Sequence, residues 1–392
     1  MQRSERQVVF SIQPVTIVQD KRHIPYYSVP KTQNIMKQKI LTKTILSLCL
    51  LLLALPLLYS QVRGNGNVEK QERSVGDFTG VVVRSGIDLL IAQGDQNKVI
   101  IEADENLQEF IVTEVESGTL YIYVQNNAKI YKSSAMDAHV TVDQLGKLNV
   151  SGGGDVQSQG LIITDDVGIE ISGGGDLQFD LKANRAKCEV SGGGDVSLDA
   201  DIKEFKAAIS GGGDLHFDGD LGLLDLAISG GGDAKISGGS RADGVMISMS
   251  GGGDLVLEIA TEKIKISSAG GGDVSASAGS DVSEAGFSLF GGGDLSLEID
   301  AGELAVSMGG GGDARLMGSA GKLACEIKSG GDLNAPNFRV QAAKIDMSGG
   351  GDCRIHVEEE LILNASGGSQ IHLTGDPHID ANLSGGAKIY RD

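Results

Sequence analysis

From residue 150 onward the chain repeats Ser-Gly-Gly-Gly-Asp with little variation, and no other feature narrows its fold as much. Eleven aspartates anchor the repeat: Asp155, Asp176, Asp195, Asp214, Asp233, Asp254, Asp273, Asp294, Asp313, Asp332 and Asp352. They lie 19 to 21 residues apart, and two degraded copies follow at Ser366-Gly367-Gly368-Ser369 and Ser384-Gly385-Gly386-Ala387. A period this regular means a solenoid, in which each unit buries its apolar side only by stacking on the next.

Aligning the units on the aspartate predicts which residues face inward. One position after it stand Val156, Leu177, Val196, Leu215, Ala234, Leu255, Val274, Leu295, Ala314, Leu333 and Cys353; three after it stand Phe179, Leu198, Phe217, Ile236, Leu257, Leu297, Leu316 and Ile355. Apolar residues also stand five before it in all units but that of Asp273, from Val150 to Met347, and seven before it, from Leu148 to Ile345. The positions between are mostly polar, which is the period of two that a strand requires. Each unit therefore reads as two or three short strands joined by corners. At about 4.8 Å per unit, thirteen units make a rod of roughly 60 Å.

Composition agrees with this reading. Fifty-eight glycines against six prolines exclude collagen, and so many glycines exclude a mostly helical chain, because each interior glycine costs a helix about 1 kcal/mol relative to alanine. The first 60 residues hold eight of the 33 Lys/Arg and two of the 53 Asp/Glu, leaving 25 basic and 51 acidic side chains, a formal charge of −26, on residues 61–392. A surface so acidic repels phosphate backbones and anionic headgroups, so nucleic acid is excluded as a partner.

Residues 36–60 carry a basic start at Lys37 and Lys39, an apolar run from Ile45 to Leu58 and a small residue, Ser60, before Gln61. This is the pattern of a secretory signal peptide cut after Ser60, too short to span a membrane, so no transmembrane anchor is expected after cleavage. Export by the Sec route then places the protein in the periplasm, at the cell surface or outside the cell. Residues 1–35 read as an over-extended, disordered start. The exported part keeps Cys188, Cys325 and Cys353, an odd number on inward columns, so free buried thiols are expected in place of a disulfide framework. Residues 61–147 lack the glycine repeat but still read as strands, an irregular N-terminal cap on the solenoid of residues 148–392.

The glycines of each unit predict a corner that needs positive φ or a close approach between coils. The aspartates face outward by alternation, about 5 Å from their neighbours, where like charges repel by about 0.9 kcal/mol in water. Two kinds of relief are open: each carboxylate accepts hydrogen bonds from its own corner's amides, or cations bridge successive rungs. Hard oxygen ligands favour Ca²⁺ in the second case, with Asp195, Asp214, Asp233, Asp254, Asp273 and Asp294 as the candidate ladder.

Several segments together resemble a known family. They are Gly64-Asn65-Gly66-Asn67, Phe78, Ser85-Gly86-Ile87-Asp88-Leu89, Gln93-Gly94-Asp95, Ala103-Asp104-Glu105-Asn106-Leu107, Gly118-Thr119-Leu120 and the Ser-Gly-Gly-Gly-Asp units. The resemblance is to the bacterial auto-transporter adhesins with a head GIN domain, related to the toastrack envelope domains. It implies a single-stranded right-handed parallel β-helix and a non-enzymatic envelope or surface role, adhesive or structural, with a protein or polysaccharide as ligand. The toastrack relation implies a second reading, an envelope-stress sensor.

A third reading, a polysaccharide-degrading β-helix enzyme, rests on fold analogy. It is disfavoured because a carboxylate repeated in every unit looks architectural, whereas a catalytic pair would be unique. The last strand, Ala387 to Tyr390, suggests end-to-end self-association through an unpaired edge.

Overall fold

The computed structural model describes Ser60–Asp392 apart from Asn127. The signal peptide at 36–60, save Ser60, and the over-extended start at 1–35 lie outside the described residues. The described chain is a β-solenoid of about 13 turns.

One pair of coils shows how it is built. Strand Leu177–Gly192 pairs in parallel with Val196–Gly211, and the register runs Leu177 to Val196, Phe179 to Leu198, Cys188 to Ala207 and Gly192 to Gly211. The offset is one repeat length, so like stacks on like. Where the spacing is 21 residues the surplus leaves the ladder. Between Asp233 and Asp254 it enters the turn separating Ala234–Ser237 from Gly244–Gly251. Between Asp273 and Asp294 the register slips around Gly279 and Asp281, both at positive φ.

The four predicted inward columns are buried wherever apolar, and only the small Ser158 among them stays half-exposed. A fifth column, nine residues before each aspartate, was not separated by the alignment: Val167, Ala186, Phe205, Leu224, Val245, Ile264 and their equivalents are also buried. It continues the alternation of the columns five and seven before the aspartate; two successive exposed residues such as Asn184 and Arg185 precede it and reverse the phase against the strand before them.

The three thiols are free and buried as expected. Burial pushes the Cys188 and Cys325 thiols up to about 12, so almost no thiolate exists near neutrality. Native protein should be inert to a thiol reagent at pH 8, with Cys188, Cys325 and Cys353 all reacting in denaturant; a rapidly labelled native thiol at any of the three would contradict the packing.

The N-terminal cap has a definite construction. Strands Gly80–Val83 and Asp88–Gln93 form a coil that stacks in parallel directly on Lys147–Gly152 and Val156–Ser158. The chain between leaves the stack and folds over its end. Thr119–Val124 and Met136–Val142 continue in parallel on the other side of that coil. They then pair antiparallel with Ile111–Glu116 and Lys98–Asp104, and Val68–Arg73 adds antiparallel to Lys98–Asp104. Val68–Arg73 reads Val-Glu-Lys-Gln-Glu-Arg, and its charges discourage further strand addition there. At the other end His378–Leu383 and Lys388–Arg391 pair on one side only.

Candidate functional site

Each corner exposes two glycines and one aspartate and buries the third glycine, so the glycines are not equivalent. The first has positive φ, 134° at Gly192 and 124° at Gly211, and a Cβ on Gly211 would sit 2.0 Å from the carbonyl oxygen of Gly192 in the preceding coil. The third is crowded in the same way: a Cβ on Gly213 would lie 2.1 Å from the Gly194 oxygen. The second, Gly212, has nothing within 4 Å. The expected corner geometry therefore holds for two glycines of three, and the structure places no demand on the middle one.

The aspartate closes the corner in a way the sequence did not specify. Its backbone amide donates to the carboxylate Oδ1 of the aspartate in the preceding coil: Asp214 to Asp195 at 2.9 Å, Asp233 to Asp214 at 2.8 Å, Asp254 to Asp233 at 2.8 Å, and so on to Asp352 on Asp332 at 2.7 Å. Each aspartate carbonyl in turn accepts from the residue after the preceding aspartate, as Leu177 N–H does to Asp195 at 2.8 Å. The side chain thus supplies the acceptor that a backbone carbonyl provides in an ordinary parallel ladder. The own-corner capping expected from sequence is replaced by a bond between coils. A hydrogen bond to a charged acceptor contributes about 1.5–3 kcal/mol, which offsets a repulsion between neighbouring rungs of about 0.9 kcal/mol in water and several times that at an effective dielectric near 20.

The candidate residues Asp195, Asp214, Asp233, Asp254, Asp273 and Asp294 are consecutive rungs, joined by five bonds of this kind. Two rungs were missed. Asp155 N–H donates to Asp88 Oδ1 at 2.9 Å across 67 residues, and Asp137 stands in register with Asp88 on its far side. Ser85-Gly86-Ile87-Asp88, followed by alternating Leu89 and Ile91, carried the signal as a unit with one glycine replaced and one missing. At the opposite end the register passes from Asp352 to Gln370 and then Lys388. Burial, and then the Asp88 charge, raise the Asp137 carboxyl above its ordinary value.

Among the described residues no group of three or more His, Cys, Asp or Glu side chains converges as a metal site requires. The bonded ladder makes a sharp prediction. Asp214→Asn keeps an Oδ1 acceptor and should leave the melting temperature near wild type, whereas Asp214→Ala should cost about 1–3 kcal/mol. The same variants compared in CaCl₂ and in NaCl of equal ionic strength should respond alike; a Ca²⁺-specific rise lost in Asp214→Asn would show that cations share the rungs.

In the head, two of the sequence motifs turn out to be one knot. Asp104 is fully buried and accepts from Gly66 N–H and Ser134 N–H, both at 2.6 Å. Gly64 packs against its carboxylate so closely that a Cβ would lie 2.2 Å from Oδ2. Asn106 completes the knot, accepting from Asn65 N–H and donating to the Arg63 carbonyl, each at 2.9 Å.

The Ser134 amide, more than any other partner, holds the Asp104 carboxyl below its ordinary value. A depressed folded-state pKa gives stability that is present above the unfolded value, near 3.9, and is lost as pH falls through the folded one. Acid should therefore loosen the head below about pH 4. Asp104→Asn should remove that component of the acid transition, read by hydrogen exchange at Gly66 and Ser134.

The histidines are dispersed. His139 Nε2 pairs with Glu102 at 2.8 Å, His356 meets Thr374, and His372 meets Asp392.

The fold and the corner define a class: a parallel β-solenoid with a repeated carboxylate ladder bonded into its backbone. The chain belongs to the family described as "Putative auto-transporter adhesin, head GIN domain", which it matches over residues 77–221 and 280–377. Among solved structures it is similar to a "putative adhesin" from Bacteroides fragilis NCTC 9343, with 20% identity over 60% of this chain and 99% of that one and a TM-score of 0.49. It is also similar to a "Putative lipid binding protein" from Parabacteroides distasonis ATCC 8503, with 19% identity, coverage of 85% and 100%, and a TM-score of 0.40. No curated protein matches the chain.

Proposed function

We propose that this protein is an exported, non-enzymatic module of the bacterial envelope or surface, whose role is adhesion through the faces of its solenoid. The observation that carries the reading is the ladder: the most regularly repeated acidic side chains of the molecule are spent on backbone amides of the next coil, coil after coil. That use is architectural, and it leaves the broad sheet faces as the variable surfaces. Family membership supports a surface protein in general, and the leader at 36–60 supports export.

The test is made on cells producing the intact protein. Protease added outside should degrade it, the mature chain should begin at Gln61, and deleting its gene should reduce attachment to a surface without changing the degradation of polysaccharides in the medium. Protection from external protease, with attachment unchanged on deletion, would overturn the reading.

A further inference from the structure

In a repeat, the architecture explains the consensus residues; departures that gather in one place need a separate reason. Two columns of the face formed by the strand before each corner depart together. The first lies eight residues before the aspartate and runs Lys187, Lys206, Asp225, Met246 and Lys265, then shrinks to Gly286, Ala305 and Ala324 in three successive coils before returning to Lys344; earlier in the column the one small residue is Gly168. Register places Gly286, Ala305, Ala324 and Lys344 in successive coils after Lys265. The second lies four residues before the aspartate and is serine in every coil from Ser151 to Ser250, then becomes Ala269, Phe290, Gly309 and Lys328 before returning to Ser348.

The result is a groove of about 1010 Å³ along the stack, with Gly286, Ala305 and Ala324 in its lining and Met246 and Ile362 among its lining residues at the ends. At the edge of the same face Phe290 is 56% exposed, while the other large phenylalanines of the repeats are buried. Its ring lies over Gly309, where a Cβ would come within 2.9 Å of it. Between floor and ring runs a row of hydroxyls, Ser267, Ser288 and Ser307, in register at one per coil.

We propose that this groove binds an extended, uncharged glycan, which rests on the reading of the protein as a non-enzymatic surface module. The hydroxyl row repeats at about 4.8 Å, close to the length one pyranose ring adds to an extended chain. An exposed aromatic face beside a floor of methyl groups suits the apolar face of a sugar ring. Charge selects a neutral ligand, because the lining's four lysines stand against five carboxylates and Lys322 is already paired with Glu303 at 2.8 Å. A peptide strand has nothing to pair with, since the amides and carbonyls of this sheet are used between coils. An acyl chain needs enclosure, and the groove is open along its length.

The purified protein is titrated with β-1,4-linked hexasaccharides of glucose, mannose and N-acetylglucosamine, with a hexagalacturonate as the charged control and phosphatidylcholine vesicles as the lipid control. At least one neutral hexasaccharide should bind, seen by calorimetry and by saturation-transfer NMR. Phe290→Ser, which restores the repeat residue, and Ala305→Lys, which refills the floor with a residue the column uses elsewhere, should each weaken binding at least tenfold with the melting temperature kept. Lys206→Ala, on the same face outside the groove, should leave it unchanged.

Binding of none of the three neutral chains, binding indifferent to both groove variants, or binding of only the charged chain or the vesicles overturns the glycan proposal. Each of these leaves the surface role standing if cells still attach. Hydrolysis of a bound hexasaccharide would instead overturn the non-enzymatic reading.

Discussion

Gly213→Ala should destabilise the protein by about 3 kcal/mol, whereas Gly212→Ala, one residue away in the same corner but exposed, should change little. A methyl on Gly213 would meet the Gly194 carbonyl oxygen at 2.1 Å, and a backbone atom cannot swing aside as a side-chain tip can. To make room, coils would have to separate by an ångström or more, losing the hydrogen bonds that run through that rung, including Asp214 N–H to Asp195. Because coils interact only with their neighbours, the damage acts as a weakened interface between two halves of the stack. Two unfolding transitions, or one at a much lower temperature, are the expected thermal signature. Equal melting temperatures for the two alanine variants would show that coil spacing is looser at the corners than described.

Leu257→Asp should have a comparable or larger effect. Leu257 has no exposed surface, and its register neighbours are the apolar Ile236 and Ala276, so the carboxylate gains no partner. Burying such a group without a hydrogen bond costs several kcal/mol. Ser296→Asp is the control: it is half-exposed on the outward side of its strand and should be mild. Urea unfolding of the two variants decides the matter, and a wild-type midpoint for Leu257→Asp would mean that the alternation has been assigned the wrong phase.

Those two experiments draw on different information. The inward position of Leu257 was legible in the sequence, because alternation is a local property: a strand puts neighbouring side chains on opposite faces, and eleven aligned units repeat the pattern. The buried thiols followed from the same columns. The unequal glycines were not legible, since all three are identical in sequence and differ only in what the preceding coil, 19 residues away, sets against them.

The aspartate ladder was half legible. Its outward position followed from alternation, but the bond partner did not, because an own-corner amide and a next-coil amide predict the same residue. Asp88 and Asp137 escaped for a different reason: the chain leaves the stack after Gln93 and rejoins it at Lys147, so the period is broken where the stack is continuous.

The amino-acid sequence by itself determined the solenoid, its period and four columns of its core, since these need only the recurrence of apolar residues at a spacing of two within a unit and of 19 to 21 between units. Tertiary structure decided everything that depends on distance between residues remote in the chain. It selected the first and third glycines, joined each carboxylate to the next coil, and tied Gly64–Asn67 to Asp104 and Asn106 in the head. It also set Phe290, Gly309 and the Gly286–Ala305–Ala324 floor on one face. The physical reason is range: side-chain alternation is set by backbone geometry over a few residues, while contact between coils is set by how whole turns stack.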